Sequence, residues 1–191
     1  MMKNRTREKK NSLIVGAVCL LLLLILDQLT KLWASHALQK NGPIELLSGI
    51  FELHYLQNEG AAFGIMENKQ WLFVLFALLI TIFVLLYYIR MPMHLRYRPL
   101  RIICVALAAG ALGNMIDRIW HHYVIDFLYF TLIDFPIFNV ADIYVCVSTA
   151  VFLLLILFYY KEEDFARIQG KRTRQEYLNE LKDKIEESQT R

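Results

Sequence analysis

The sequence predicts an all-α membrane protein in which four transmembrane helices carry a small extracytoplasmic β-rich segment. Hydrophobic residues make up 57% of the 191 residues, which is too apolar for an ordinary soluble domain of this length. They are also gathered into four runs, and about 20 apolar residues allow a helix to cross the hydrocarbon core of a bilayer. The alternative, a soluble bundle of buried helices, would show polar faces at helical spacing, and these runs show none.

The predicted spans cover about residues 13–33, 71–89, 100–119 and 141–160. The first span follows a basic N-terminus, which is also how a secretory signal peptide begins. The apolar run is long, however, and no small-residue cleavage site follows it. We therefore predict a retained first helix and a single four-span domain over residues 1–160.

The distribution of Lys and Arg predicts the orientation of these spans. The first 12 residues contain five Lys or Arg, and residues 90–101 contain four arginines. Residues 34–70 contain only Lys40 and Lys69, and residues 120–140 contain neither Lys nor Arg. Because cytoplasmic loops are enriched in Lys and Arg, both termini are expected in the cytoplasm, whereas 34–70 and 120–140 are expected to be exported. The basic residues thus set orientation and do not indicate nucleic-acid binding.

The segments outside the spans have patterns of their own. Residues 43–55 alternate apolar and polar side chains around Ser48-Gly49, which predicts a small hairpin or two short strands. Residues 58–64 are rich in Gly and Ala, which favours a close approach of the backbone to a ligand or a helix end. Residues 161–191 balance eight basic against eight acidic side chains and contain no Pro, so they are expected to form a charged cytoplasmic tail with a solvated or surface-lying helix.

With this orientation, the polar residues of the chain gather at one boundary of the membrane. Spans one and three end at that boundary and span four begins there. The residues concerned are Asp27, Lys31, Asn114, Asp117, Arg118, Asn139 and Asp142, together with Asn58 and Asp126 from the exported segments. Charged groups beside hydrocarbon are costly and are rarely found there without a function. Two neighbouring carboxyl groups can share a proton and activate a water molecule, so the pattern indicates one shared site.

Each of these residues also has a structural explanation on its own. Asp27 and Lys31 are four residues apart on a helix and can simply neutralise each other. Asn139 can cap the fourth span, and Asp142 suits the first turn of a helix. Arg118 can extend to the headgroups or satisfy several acceptors at once. Their coincidence at one boundary is what favours a functional site.

Five motifs in these segments resemble those of the bacterial lipoprotein signal peptidases (signal peptidase II), which are membrane aspartyl peptidases. The motifs are Asp-Gln-Leu-Thr-Lys at 27–31, Asn-Glu-Gly-Ala-Ala-Phe-Gly at 58–64, Gly-Asn-Met-Ile-Asp-Arg at 113–118, Val-Ile-Asp-Phe at 124–127 and Phe-Asn-Val-Ala-Asp at 138–142. They occur in the order typical of the family, and the resemblance covers about residues 12–160.

By this resemblance, Asp126 and Asp142 form a catalytic dyad that activates a water molecule, with one carboxyl as base and the other as acid. The residues that would support the dyad or position the substrate are Asp27, Lys31, Asn58, Asn114, Asp117, Arg118 and Asn139. The substrates would be prolipoproteins modified with a diacylglyceryl group and cut just before the lipidated cysteine. The expected location is the bacterial cytoplasmic (inner) membrane, with the site at its outer, periplasmic surface.

No metal or other cofactor is expected, because the boundary lacks a His-rich ligand set and His121-His122 is an isolated pair. Cys19, Cys104 and Cys146 all lie within predicted spans and indicate packing, not a disulfide framework or a nucleophile. The expected partners are the substrates and membrane lipid, without nucleic acid, and a monomer is the expected state.

Two other functions stay open on the residues alone. A small proton-coupled transporter could use the same acids as a relay, but relay residues would be spread across the membrane and accompanied by repeated or broken helices. A scaffold subunit would not need the acids at all. A peptidase accounts better for acids gathered at one surface.

Overall fold

The computed structural model describes residues 2–60, 70–170, 178–179 and 185, with side chains from residue 6 onward. Its α-helices within those residues are α1 (Met2–Asn41), α2 (Gln70–Arg90), α3 (Arg98–His121), α4 (Val140–Phe158) and α5 (Glu162–Ile168). Helices α1 to α4 are each long and apolar enough to cross a membrane. The predicted all-α membrane fold with four spans is therefore confirmed.

A three-stranded antiparallel sheet is formed by β1 (Ile44–Leu47), β2 (Phe51–Asn58) and β3 (Val124–Tyr129), in the order β1-β2-β3. β1 and β2 are the hairpin that the sequence predicts, and Gly49 in its turn has φ +70°, which Gly adopts without strain. β3 is not predicted from the sequence. Its first four residues are all buried, so it lacks the apolar–polar alternation that reveals a half-buried strand.

The sheet lies at one end of the helical bundle, called the sheet end below. Helix α1 ends there just before β1. Helix α3 ends there at His121, and the next residue, His122, has a left-handed backbone (φ 66°) and donates its N–H to the Arg118 carbonyl (3.2 Å). A capping box at Asn139 begins α4 at the same end. Three helix ends and the sheet therefore meet in one layer.

Helix α3 is the centre of the bundle and packs against α1, α2 and α4. Its small residues permit a close approach to α4, since a Cβ at Gly110 would lie 2.5 Å from the Ala141 carbonyl oxygen. The outward faces of the four long helices expose large apolar side chains, as expected for contact with lipid.

Helix α5 lies at the opposite end of the bundle, in the segment where the sequence predicts a solvated or surface-lying helix, and its inner face is packed. Arg96 Nε donates to Asp164 Oδ1 (2.8 Å), and this hydrogen bond holds the pKa of Asp164 below its ordinary value. Ile168 is buried in a core cluster with Tyr160. Arg96 and Asp164 are 68 residues apart, so no local pattern in the sequence reveals their contact.

Candidate active site

Asp126 lies in β3, and two side-chain amides hold its carboxylate. Asn58 Nδ2, on the neighbouring strand β2, donates to Oδ2 (2.8 Å), and Asn139 Nδ2 donates to Oδ1 (2.7 Å). Only 1% of the residue is exposed. Because each oxygen of this buried carboxylate accepts a hydrogen bond, its orientation is fixed.

Asp142 lies in the first turn of α4 and is half-buried. Asn114 Nδ2 donates to its Oδ1 (2.7 Å), and the backbone N–H of Asn139 donates to its Oδ2 (3.1 Å). The second bond belongs to the capping box, in which Asn139 Oδ1 accepts from the Asp142 N–H (3.0 Å). The cap that the sequence predicts is confirmed, and it brings Asn139 into contact with both aspartates.

The surroundings of Asp126 shift the pKa of its carboxyl group towards neutral pH. Burial and the charge of Asp142 raise the pKa of Asp126 to about 7. The hydrogen bonds from Asn58 and Asn139 act in the opposite sense, because amide donors favour the ionised carboxylate. Desolvation outweighs them, so the net effect of these surroundings favours the protonated carboxyl. A carboxyl of this kind beside a second carboxylate is suited to general acid–base chemistry.

A buried ammonium group connects the elements around the two aspartates. Lys31 is 1% exposed, and its Nζ lies 3.0 Å from Asp27 Oδ2 and 2.9 Å from Asp117 Oδ2. It also donates to Asn114 Oδ1 (2.9 Å). These acceptors use all the donors of the ammonium. Because Lys31 binds the oxygen of the Asn114 amide, the nitrogen of that amide is directed to Asp142.

The two carboxylates bound by the ammonium each hold the backbone beside one of the paired aspartates. Asp27 Oδ1 accepts from the N–H of Ala141 (2.9 Å), which directly precedes the aspartate of α4. Asp117 Oδ2 accepts from the N–H of Ile125 (3.2 Å), which directly precedes the aspartate of β3. The buried ion pairs therefore position the two backbone segments that present the aspartates.

Gln28 is a member of this network that the sequence analysis does not single out. Its Nε2 donates to Asp117 Oδ1 (3.0 Å), Asp27 Oδ2 (3.2 Å) and the Gly113 carbonyl (3.3 Å). It thus links α1 to α3 through both buried carboxylates. The signal that could have revealed it is an amide side chain inside an apolar run, directly beside Asp27.

Arg118 follows Asp117 in the sequence, but its guanidinium contacts the Phe73 ring and the Gly60 carbonyl. Its guanidinium lies 4.6 Å from the centroid of the Phe73 ring and donates to the Gly60 carbonyl (3.3 Å). Because Lys31 binds Asp117, removing Arg118 would not leave that carboxylate without a partner. The other predicted site residues form one hydrogen-bonded network, which Arg118 joins through Gly60. Residues 61–64, the rest of the small-residue segment, lie outside the described residues.

Replacing Gly113 by Ala is expected to destabilise the protein by about 1–3 kcal/mol, the usual cost of overpacking a close-packed interior. The added Cβ would lie 2.5 Å from Asp27 Oδ2. This oxygen cannot move away without loosening its contact with Lys31 (3.0 Å). The measurement is the unfolding midpoint in detergent. The control is Ala111→Ser, which adds one heavy atom at a half-buried position of α3. Equal shifts in the two variants would contradict the assigned contact.

The arrangement provides two carboxyl groups, amide donors that fix them and a buried cation nearby. Among the described residues, no group of three or more His, Cys, Asp or Glu side chains is placed to hold a metal ion. What the residues themselves can do is transfer protons to and from a water molecule at the boundary of an apolar bundle.

Comparisons with known proteins agree with this description. The family model for signal peptidase (SPase) II matches residues 19–158, which include the whole network and end before α5. A lipoprotein signal peptidase of Clostridioides difficile (strain 630) is 40% identical over 140 residues, covering 73% of this chain and 93% of that protein. One of Streptococcus pyogenes serotype M5 (strain Manfredo) is 40% identical over 147 residues, covering 76% and 93%. A solved bacterial membrane enzyme superposes with a TM-score of 0.67 at 27% identity, covering 76% of this chain and 94% of that chain.

Proposed function

Because the chain belongs to the signal peptidase II family of bacterial membrane peptidases, which remove signal peptides from prolipoproteins, we propose that it is an aspartyl endopeptidase with Asp126 and Asp142 as its catalytic dyad. The observation that carries this proposal is the contact of Asn139 with both carboxylates, through its side-chain amide and its backbone N–H. One residue thus holds the two carboxyl groups relative to each other. The cut falls just before the lipidated cysteine of the precursor.

In this mechanism, the carboxylate of Asp142 takes a proton from a water molecule, and the water oxygen attacks the carbonyl carbon of the scissile peptide bond. The protonated carboxyl of Asp126 donates a hydrogen bond to the developing oxyanion. When the tetrahedral intermediate collapses, the C–N bond breaks and the leaving amine takes the proton from Asp142. Asp126 suits the acid role because its pKa is raised to about 7.

The buried network acts on this reaction by positioning. Asp27 and Asp117 hold the backbone beside the dyad, and Lys31 balances their charges. A carboxylate held in place before the substrate arrives needs no reorganisation during the reaction. All these groups come from one chain, so we infer that a monomer is sufficient for activity.

The position of the dyad favours a substrate anchored in the bilayer. The two aspartates lie at the ends of apolar helices, and a precursor with a diacylglyceryl group would keep its lipid chains in the membrane and its peptide at that depth. The test compares the same purified precursor with and without the diacylglyceryl group, using the protein in lipid vesicles. Cleavage is expected only with the lipid-modified precursor. Equal rates on the two precursors would contradict the proposal.

Cleavage is expected to fall as the pH rises through about 7, because the pair must hold one proton and Asp126 loses it in that range. The Asn58→Ala variant lacks a hydrogen bond that favours the ionised form of Asp126. The pKa of Asp126 then rises, and the alkaline fall moves to higher pH. The measurement is kcat/KM for a lipid-modified precursor as a function of pH.

The matched control for this pH shift is Gln57→Ala, an exposed neighbour on β2 whose amide donates to the Tyr55 hydroxyl (3.2 Å) and not to the dyad. Its alkaline fall should coincide with that of the unaltered protein. If Asn58→Ala also left the fall unchanged, Asp126 would not be the group that loses the proton.

The proposed orientation has both termini in the cytoplasm and the dyad at the outer surface, on the grounds of the Lys and Arg distribution. In a background without the native cysteines, a cysteine at Lys40 should react with an impermeant thiol reagent on intact cells. Cysteines at Asn4 and Gln189 should react only after the cells are opened. Labelling of the Gln189 position in intact cells would contradict this orientation.

A further inference from the structure

The outer face of α1 carries a groove that the dyad does not use. Two adjoining shallow grooves share His36: Leu29, Leu32 and Trp33 line the apolar one, and Ser35, Gln39 and Lys40 line the polar one with it. This face is directed away from Asp27 and Lys31, because the three apolar side chains are each about half exposed while those two residues are buried. The groove is therefore separate from the proposed active site.

The polar part of the groove consists of side chains that can donate hydrogen bonds. The Nδ1–H of His36 donates to the Leu32 carbonyl (2.9 Å), which fixes the imidazole, and Nε2 can donate to an anion in the doubly protonated form of the ring. Neither His36 nor Lys40 takes part in an ion pair among the described residues. A cation without a carboxylate partner, surrounded by further donors, is suited to an anion.

Lys40 is also unusual for its location. Within the described ranges 34–60 and 120–140, which surround the sheet end, it is the one Lys or Arg. Lys and Arg are depleted on the exported side of membrane proteins, so general orientation does not explain a lysine there. Its place on α1, two turns beyond Trp33, puts the ammonium just above the apolar surface, at the depth of lipid headgroups.

From this juxtaposition, we propose that the groove binds an anionic phospholipid of the leaflet at the sheet end, with its phosphate at His36 and Lys40. Ser35 and Gln39 donate hydrogen bonds to the same headgroup. An acyl chain lies along Leu29, Leu32 and Trp33. The occupant is a phospholipid because the apolar and anion-binding surfaces adjoin on one exposed face of α1, a helix that is long and apolar enough to cross a membrane.

Trp33 provides a probe inside the groove. The chain has three tryptophans, and Trp71 and Trp120 are 65% and 79% exposed, so both can be replaced by Phe without disturbing the core. The full chain with these two replacements is placed in phosphatidylcholine vesicles that contain increasing fractions of phosphatidylglycerol with brominated acyl chains. Bromine quenches an indole that it contacts, and brominated phosphatidylcholine gives the reference. The ratio of the two quenching curves measures the preference of the groove for the anionic lipid.

A preference for phosphatidylglycerol of about fivefold or more is expected, and His36→Ala with Lys40→Ala should reduce it to about one, since a basic residue near a membrane surface contributes on the order of a fivefold change. The control is Arg98→Ala, an exposed basic residue at the opposite end, which should leave the preference unchanged. The proposal would be overturned by a preference near one in the protein that keeps His36 and Lys40. It would also be overturned if the double variant kept its preference, or if Arg98→Ala lost it equally. Relief of the quenching by added inorganic phosphate would assign the site to free phosphate and overturn the assignment to lipid.

Discussion

Replacing Asp126 or Asp142 by Asn is expected to lower cleavage of a lipid-modified precursor by a factor of about 10² to 10⁴, the range in which a positioned general acid or base contributes. An asparagine at position 142 cannot take a proton from water. An asparagine at position 126 cannot hold the shared proton. The measurement is single-turnover cleavage in lipid vesicles, with each variant first shown to be folded by its unfolding midpoint.

The loss at position 126 has a second cause in the amides that surround it. Asn58 Oδ1 accepts from the Gly60 N–H (3.0 Å), and Asn139 Oδ1 accepts from the Asp142 N–H (3.0 Å). Neither amide can therefore turn its oxygen towards a new side-chain NH₂ without losing that bond. In Asp126→Asn, the new side-chain NH₂ would face the NH₂ of Asn58 or Asn139, so that two donors would meet without an acceptor between them. A protonated carboxyl avoids this, because it can direct its hydrogen away from both amides.

The matched control for both variants is Asp134→Asn. Asp134 lies in the same connection between α3 and α4, is exposed, and accepts from the Tyr129 hydroxyl (2.5 Å). Its backbone is left-handed (φ 48°), a conformation that asparagine tolerates well. This variant should retain full activity. A dyad variant that kept a tenth of the original turnover would contradict the roles assigned to the two aspartates.

Replacing Lys31 by Met is expected to destabilise the protein by roughly 3–5 kcal/mol, the cost of leaving a buried charge without its partner. Met keeps most of the length and apolar volume of the lysine stem. The variant leaves the carboxylates of Asp27 and Asp117 without their cation, although they are 0% and 1% exposed. The measurement is the free energy of unfolding in detergent.

Lys40→Met is the control for this effect, because it removes the same charge at an exposed position of the same helix. It should change the free energy of unfolding little. Combining Lys31→Met with Asp27→Asn and Asp117→Asn should recover part of the loss, since the buried negative charges are then removed. If the triple variant were no more stable than Lys31→Met alone, the uncompensated carboxylates would not be the cause.

The sequence predicts the elements whose pattern is local. The apolar runs predict the four long helices, and the alternation around Gly49 predicts the first hairpin. β3 and the docking of α5 are not predicted, because both depend on partners that are distant in the sequence. β3 is a short buried run that becomes a strand by pairing with β2. Helix α5 is held by a hydrogen bond from Arg96 to Asp164, and α3 and α4 separate these two residues along the chain.

The sequence also predicts which residues gather at the sheet end, but it does not predict which partner each of them contacts. Asp27 pairs with Lys31, as their spacing on the helix allows, while its other oxygen accepts from the N–H of Ala141, 114 residues away in the sequence. A contact with a backbone group cannot be predicted from the type of the residue that provides it, because every residue except proline has the same N–H donor. The same reason hides the contact of Arg118 with the Gly60 carbonyl.

Asp126 and Asp142 are proposed to cut a lipid-modified precursor at the boundary of this bundle. The most direct test of this proposal is to incubate the purified protein in vesicles with a diacylglyceryl-modified prolipoprotein and to determine the masses of both products. The expected products are the intact signal peptide and a mature chain that begins with the lipidated cysteine, formed by the unaltered protein and absent with Asp142→Asn. A cut at any other bond, or the same products in undiminished amount from Asp142→Asn, would contradict the account.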